Sequence, residues 1–192
     1  WRKEQGFSND DKLLLYAGII GHAQGLEVIL KAAELLKNER KTKFILLGSG
    51  PCKTDLQLMA EQLKLTNVTF LDAVTKKEMP FILKAIDLAI IPLKKLDLFK
   101  GAIPSKIFEN LAMKVPILLG VEGEAKELFI DEAKAGIFFE PENAVDLSEK
   151  VLEILKNENK IKELGENGAK YVAHKFNRDT LAQSFYHRLK EL

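Results

Sequence analysis

The chain has 192 residues, 46% of them hydrophobic and 30% charged, which is enough to bury a core without disulfides or metal. Its formal net charge of +1 excludes the strongly basic surface of a nucleic-acid-binding protein. Cys52 is the single cysteine, so no internal disulfide can form and a reducing compartment is expected. No signal-peptide pattern and no apolar run of transmembrane length is present, which favours a cytoplasmic location.

Short apolar runs alternate with helical patterns along most of the chain. Residues 1–11 show no periodicity and predict a linker that leads into a domain, as in a fragment of a longer protein. Six apolar runs predict strands, at residues 12–17, 43–48, 67–71, 87–93, 116–120 and 136–140. Helical spacing predicts helices at 26–36, 56–63, 78–85, after Ser105, at 124–133, and then at 144–157, 160–174 and 178–192.

This alternation predicts the fold class. Strands separated by helices of this length imply right-handed crossovers and a parallel sheet. The strands are continuous apolar runs, so helices should cover both faces of the sheet. We therefore expect an α/β, doubly wound, Rossmann-like parallel sheet of about six strands with additional C-terminal helices. In such sheets ligands bind at the carboxyl ends of the strands, so the residues that follow each strand form the candidate site.

Glycines follow the first two predicted strands. The segment AGIIGHAQGLE contains Gly18, Gly21 and Gln24, and it lacks the dinucleotide spacing G-x-G-x-x-G. Its glycines and the following helix could receive an anion, although a plain strand-to-helix turn explains the pattern equally well. The segment GSGP begins at Gly48; no G-K-[ST] follows it, so it is not a P-loop, and a simple turn is the commoner explanation.

The segment IPSKIFE, after the fourth strand, places a cation at the start of a helix. Pro104 keeps the approach extended, Ser105 is a suitable N-cap, and Lys106 falls in the first turn. A cation there is unfavourable by up to roughly 1 kcal/mol, and a bound phosphate would compensate it. Glu109 shares a face with Lys106. The two form a surface ion pair, or Lys106 holds phosphate while Glu109 accepts ribose hydroxyls; the position favours the second interpretation.

The segment GVEGEAKEL places Glu124 after the fifth strand, at the same edge of the sheet. A glycine turn with a capping acid and a ligand contact explain this residue equally well. No Asp-x-Asp pair and no His/Cys cluster is present in the sequence, so we expect no metal site.

Taken in order, these segments resemble the C-terminal half of the GT-B-fold glycosyltransferases of family 4. The resemblance covers nearly the whole chain and is carried by YAGIIGHAQGLEVILKAAELL, FILLGSGP, NVTFLDAV, DLAIIPL, IPSKIFENLAMKVPILLG, GEAKELFIDEAKAGIFFEPEN and ELGENGAKYVAHKFN. The GHAQGLE and PSK forms are similar to the branch that builds bacterial surface polysaccharides, including fucosamine and colanic-acid-type transferases.

The resemblance implies one half of a GT-B fold, with a nucleotide-sugar-binding domain at residues 12–177. It implies that the helix at 178–192 crosses back to an N-terminal acceptor domain that this chain lacks. The donor would be a nucleotide-diphospho-sugar, UDP-linked rather than GDP-linked, used without metal or another cofactor. The whole enzyme would transfer the sugar with retention to a surface-polysaccharide or lipid-linked acceptor, in the cytoplasm or at the inner face of the membrane, whereas this chain alone would be inactive.

The resemblance also assigns roles to residues. It implies that Leu71 lies near the base through backbone groups, that Glu109 holds the ribose, and that the region of 122–124, including Glu124, faces the donor sugar. The catalytic candidate is Lys106, which would stabilise the diphosphate leaving group. The other substrate-binding candidates, most of them around the diphosphate, are Gly18, Gly21, Gln24, Gly48 and Ser105.

Three of the family's usual donor contacts are missing, and Lys114 also stands where a glycine is usual. Ile19 and Gln24 stand where many members carry an arginine and a lysine, and Gly101 stands where the E-x7-E signature requires its first glutamate. Lys106 is expected to replace the lost positive charge. Two other functions remain open at this point: half of a UDP-sugar epimerase, and a non-catalytic nucleotide-binding or scaffold domain with a decayed site.

Overall fold

The fold is a single six-stranded sheet in the order β3-β2-β1-β4-β5-β6, seen in a computed structural model that describes residues 1–190. All five strand pairings are parallel. The prediction of a doubly wound α/β sheet is therefore confirmed. The strands are β1 (Lys12–Ala17), β2 (Thr42–Leu47), β3 (Val68–Leu71), β4 (Leu88–Pro92), β5 (Ile117–Gly120) and β6 (Gly136–Phe138).

Eight α-helices in residues 1–190 surround this sheet. Short 3-10 turns occur at His22–Gln24 and Asp97–Phe99, and a π-helical segment, Glu127–Glu132, continues α5. The helices are α1 (Glu27–Leu35), α2 (Lys53–Gln62), α3 (Met79–Leu83), α4 (Lys106–Ala112), α5 (Glu124–Lys126), α6 (Ala144–Leu155), α7 (Glu158–Lys175) and α8 (Arg178–Lys190).

Several predicted bounds were wrong by a few residues. The predicted helix 124–133 is a short α-helix followed by a π-helical segment, and Phe129 of that segment is fully buried in the core. Helix α7 begins before the predicted residue 160, since the Asn157 side chain accepts a hydrogen bond from the Lys160 amide at 3.0 Å. The final two residues of the predicted last helix lie outside the described residues.

The core consists of two apolar layers, one on each face of the sheet. In β1, Leu14 and Tyr16 contribute to the layer under α1, α2 and α6, whereas Leu13 and Leu15 contribute to the layer under α3, α4 and α5. Successive side chains of a strand point to opposite faces, so a strand covered on both sides must be apolar at every position. This is the physical reason for the continuous apolar runs in the sequence.

The predicted linker, residues 1–11, is docked against the amino-terminal edge of the sheet. The Arg2 guanidinium donates to the carbonyl oxygen of Ala85 at 2.6 Å, to that of Asp11 at 2.7 Å, and to Asp87 Oδ2 at 2.7 Å. The same Asp87 oxygen accepts from the Leu13 amide at 2.7 Å. Asp87 thus joins this segment to the first strand of the sheet.

Replacing Asp87 by alanine is expected to lower the free energy of unfolding by about 2–3 kcal/mol, because it removes two charge-assisted hydrogen bonds from a half-buried site. Urea unfolding followed by circular dichroism measures this change. The matched control is Asp10→Ala, whose ion pair with Lys41 is exposed on both sides and should contribute less than about 0.5 kcal/mol. Equal losses in the two variants would show that Asp87 does not hold the segment in place.

Helix α8 buries none of its residues. Four of its apolar side chains are each at least about half exposed, namely Leu181, Phe185, Tyr186 and Leu189. None of the helices in the described part of the chain is both long and apolar enough to cross a membrane.

Candidate functional site

A cavity of about 280 Å³ opens at the carboxyl ends of β1, β2 and β3. Residues that follow each of these strands form its walls, and Glu109 of α4 closes one side. The carboxyl edge of the sheet was predicted as the ligand-binding edge, and three predicted site residues line this cavity. Its lining includes Gly18, Gly48, Ser49, Ala73, Val74 and Glu109.

Gly18 and Gly48 allow the loops after β1 and β2 to pack closely against each other. Both have positive φ, +140° and +149°, and a Cβ on Gly48 would lie 1.9 Å from the carbonyl oxygen of Gly18. Only glycine permits this backbone conformation together with so close an approach. The two glycines therefore keep the cavity wall thin, with main chain rather than side chains facing the space.

Lys106, the first residue of α4, extends to the loop after β1. Its Nζ lies 3.9 Å from the centroid of the Tyr16 ring, and a Cβ on Gly18 would lie 2.9 Å from it. Burial lowers the pKa of Lys106 to about 8, and the charge of Glu109 only partly offsets that effect. Within residues 1–190 this ammonium forms no salt bridge, so the surface ion pair with Glu109 is not formed and the two charges are available separately.

The Tyr16 ring packs against the Lys106 ammonium. Its ring is almost completely buried, and its hydroxyl donates to the carbonyl oxygen of Ile19 at 2.5 Å. Burial also raises the pKa of Tyr16, so the phenol stays neutral. The ring face offers Lys106 a cation–π contact without a compensating negative charge.

Ser105 precedes α4, as predicted, but it is not an N-cap with a side-chain hydrogen bond. Its backbone is helical, with φ −57° and ψ −28°, and its side chain caps no amide. The first turn already begins at Pro104, whose carbonyl oxygen accepts from the Ile107 amide at 3.0 Å. An N-cap side chain needs an extended backbone, so the early turn removes that geometry, and the prediction of a serine cap was wrong.

Gly21 and Gln24 lie at the two ends of the 3-10 turn that follows β1. The Gln24 side chain folds back over Gly21, since a Cβ there would lie 3.0 Å from Oε1. Lys94, from the loop after β4, packs on Gly25, and its amide donates to the carbonyl oxygen of Ala23 at 3.0 Å. No local pattern in the sequence indicates that Lys94 lies beside this turn.

Leu71 is the last residue of β3. Its carbonyl oxygen accepts from the Gly48 amide at 3.0 Å and from Lys53 Nζ at 3.2 Å. The next residues, Ala73 and Val74, line the cavity. Lys53 was not among the predicted site residues, because a lysine in the first turn of a helix gives no sequence signal of a contact 18 residues away.

Glu124 lies at the carboxyl end of β5, at the same edge as the cavity but outside its lining. Its amide donates to the carbonyl oxygen of Lys100 at 2.9 Å. Gly123 has φ +76°, and a Cβ there would lie 2.2 Å from the same oxygen, so this turn packs tightly on the loop after β4. The structure therefore groups Gly18, Gly48, Lys106 and Glu109, and places Glu124 apart. In residues 1–190 no cluster of three His, Cys, Asp or Glu side chains could hold a metal ion.

Known proteins share the sequence pattern and the fold of this chain. The family model described as glycosyl transferases group 1 matches residues 1–171. The chain is 32% identical over 112 residues to the putative colanic acid biosynthesis glycosyl transferase WcaI of Escherichia coli (strain K12), covering 58% of this chain and 27% of that protein. It is 30% identical over 144 residues to the probable glycosyltransferase WbjE of Pseudomonas aeruginosa, covering 74% of this chain and 36% of that protein.

Solved structures show the same fold. The Anabaena protein Alr3699/HepE, crystallised in complex with UDP and glucose, superposes with a TM-score of 0.81 at 17% identity, covering 100% of this chain and 51% of that one. The chain spans less than half the length of the two curated relatives and about half of this structure. The predicted GT-B resemblance is confirmed, and the chain belongs to the group 1 glycosyl transferase family.

Proposed function

We propose that this chain binds the nucleoside diphosphate of a sugar donor, and that the whole enzyme transfers the sugar to an acceptor. The observation that carries the proposal is the Lys106 ammonium, which lies unpaired within residues 1–190 at the ligand-binding edge of the sheet. A desolvated cation without a carboxylate partner is costly, and a bound diphosphate would supply the missing charge. The Anabaena structure that contains UDP and glucose supports this proposal.

In this proposal, different residues contact the diphosphate and the ribose of the donor. Lys106 and the main chain of Gly18, with Gly21, Gln24 and Ser105 around them, hold the diphosphate. Glu109 accepts hydrogen bonds from the ribose hydroxyls inside the cavity.

The base and the sugar occupy opposite ends of this edge. Backbone groups just after Leu71 contact the base, which is uracil in this proposal, as in the UDP of the Anabaena complex. Glu124 faces the sugar from the separate turn after β5.

The chemistry that follows is electrostatic stabilisation of the leaving group. As the bond between the sugar and the diphosphate breaks, negative charge grows on the oxygen next to Lys106, and a fixed ammonium at that point lowers the barrier. No general base is required of these residues if the acceptor attacks from the face that the diphosphate leaves, which retains the configuration. No metal and no further cofactor is part of the proposal.

The acceptor site belongs to a preceding domain in this proposal, because one sheet edge provides only half of a cleft. Residues 12–177 form the donor domain, and the exposed apolar side of α8 contacts the preceding domain. The acceptor is a surface-polysaccharide or lipid-linked precursor, and the enzyme works in the cytoplasm or at the inner face of the membrane. The relative named for colanic acid biosynthesis supports a polysaccharide acceptor.

Calorimetric titration with UDP, GDP and ADP tests the proposal. We expect UDP to bind more tightly than GDP and ADP. The longer chain with its preceding domain serves as the second sample, since a site completed by that domain would bind only there. No binding of any of the three nucleotides by either sample would contradict the proposal.

Replacing Glu109 by alanine is expected to weaken UDP binding by about tenfold, because a carboxylate that accepts ribose hydroxyls contributes roughly 1.5 kcal/mol or more. The loss should be smaller for 2′-deoxy-UDP, which has one hydroxyl fewer to lose. Titration of both ligands against both proteins measures this difference. Glu149→Ala, which changes an exposed acid on α6, is the control and should leave both affinities unchanged. Equal losses for the two ligands would contradict a ribose contact.

A further inference from the structure

Lys53 extends from the first turn of α2 back to the ends of two strands. Its Nζ donates to the carbonyl oxygen of Gly48 at 3.0 Å, to that of Leu71 at 3.2 Å, and to Asp72 Oδ1 at 2.6 Å. The side chain is only 17% exposed, whereas its partner Asp72 is 99% exposed. An ammonium has three N–H donors, and all three are used here, so Lys53 has none left for a phosphate.

The two carbonyl groups are the ends of β2 and β3, where the ladder between these strands stops. A carbonyl oxygen can accept two hydrogen bonds, and that of Leu71 already accepts from Lys53 and from the Gly48 amide. It is therefore saturated and cannot contact a base. Within residues 1–190 the amide and carbonyl of Ala73 have no hydrogen-bond partner, and Ala73 lines the cavity.

Lys53 also joins two opposite walls of the cavity. Gly48 and Ser49 belong to the wall after β2, and Ala73 and Val74 belong to the wall after β3. Without the ammonium, the Gly48 carbonyl oxygen would lose this donor, and the hydrogen bond from the Gly48 amide to Leu71 would be left to join the two walls. The walls would then be held less firmly at the end of the cavity where the base is proposed to bind.

We infer that Lys53 is a positioning residue that fixes the nucleobase end of the cavity by tying the main chain after β2 to the main chain after β3. This inference rests on the proposed nucleotide site, and it adds a residue that touches no part of the nucleotide. Its role is to hold the Ala73 amide and carbonyl where a base can use them.

The test compares Lys53→Met, Lys53→Arg and Asp72→Asn with the unchanged protein. The first variant removes all three hydrogen bonds, the second keeps donors for the carbonyls, and the third removes only the exposed acid. Each is titrated with UDP and with inorganic pyrophosphate, which reports the phosphate end alone. Lys53→Met should weaken UDP binding by about tenfold and pyrophosphate binding by less than about twofold. Lys53→Arg should recover most of the loss, and Asp72→Asn should match the unchanged protein.

Equal loss of UDP and pyrophosphate, or no loss of UDP, would overturn the inference. A second measurement tests the role of Lys53 independently of nucleotide binding. Hydrogen exchange of the Gly48 amide, compared with amides of β5, should be at least about tenfold faster in Lys53→Met and unchanged in Asp72→Asn. If the unchanged protein binds no nucleotide, the proposed function fails, while an unchanged Gly48 exchange rate would by itself overturn the role of Lys53.

Discussion

Replacing Lys106 by methionine is expected to weaken the binding of a nucleoside diphosphate by about 10- to 150-fold, the loss of a charge-assisted hydrogen bond. The melting temperature should stay the same or rise, because the ammonium is desolvated without a carboxylate partner in residues 1–190. Methionine preserves the length of the side chain and its packing on Tyr16. Calorimetric titration with UDP and differential scanning calorimetry measure the two effects.

Lys126→Met is the matched control. Lys126 also lies over an aromatic ring, with Nζ 5.1 Å from the centroid of Phe138, whereas the Nζ of Lys106 lies beside Gly18 of the cavity wall. This variant should retain UDP affinity. If Lys126→Met weakened UDP binding as much as Lys106→Met does, the effect could not be assigned to a contact between Lys106 and the diphosphate.

The pKa of Lys106 predicts how UDP binding depends on pH. Its pKa in the free protein is lowered to about 8 by burial, and only the protonated form attracts a diphosphate. UDP affinity should therefore fall as the pH rises through 8, by roughly tenfold for each further unit. Binding between pH 8 and 9 should take up a proton, which titrations in buffers of different ionisation enthalpy measure. A flat profile from pH 7 to 9.5, like that expected of Lys106→Met, would contradict this prediction.

The contribution of Lys106 to the free energy of unfolding should change with pH in the opposite direction to the UDP affinity. The unfolded chain has Lys106 at its ordinary pKa of 10.5, so between pH 8 and 10.5 it binds more protons than the folded chain does. The Lys106 contribution to the free energy of unfolding should therefore increase with pH in this window, and the destabilising effect should be complete below pH 8. The difference between the unchanged protein and Lys106→Met, measured by urea unfolding at several pH values, isolates this contribution.

Replacing Gly48 by alanine is expected to lower the free energy of unfolding by about 2–4 kcal/mol and to abolish UDP binding. The new Cβ would lie 1.9 Å from the carbonyl oxygen of Gly18, on a residue with φ +149°. The loops that form the cavity wall must move apart to relieve the strained backbone at residue 48 and the steric clash of the new Cβ with Gly18. Urea unfolding and UDP titration measure the two losses.

Gly101→Ala is the control for this glycine, since a Cβ there would meet nothing within 4 Å and its backbone needs no positive φ. Its stability should stay within about 0.5 kcal/mol of the unchanged protein. A Gly48→Ala variant that is as stable as Gly101→Ala would show that the two glycine loops do not touch.

The order of strands and helices could be predicted because each of these elements leaves a periodic pattern in its own residues. Residues 13–17 and 44–47 are apolar at every position, which is typical of a strand covered on both faces of a sheet. Boundaries were less certain, since they depend on single hydrogen bonds. The side-chain cap at Ser105 is absent because the turn begins at Pro104, and the predicted helix at 124–133 continues as a π-helical segment after Lys126.

The sheet, its apolar core and the carboxyl edge that carries Gly18, Gly48, Lys106 and Glu109 could be predicted, because the order of apolar runs and helical patterns is written along the chain. The position of Lys106 over Tyr16, without a carboxylate partner in residues 1–190, could not be predicted and follows from packing. The same is true of Lys53, which joins the ends of β2 and β3. Desolvation and contacts between distant residues depend on how the elements pack, and no periodic pattern in one segment contains that information.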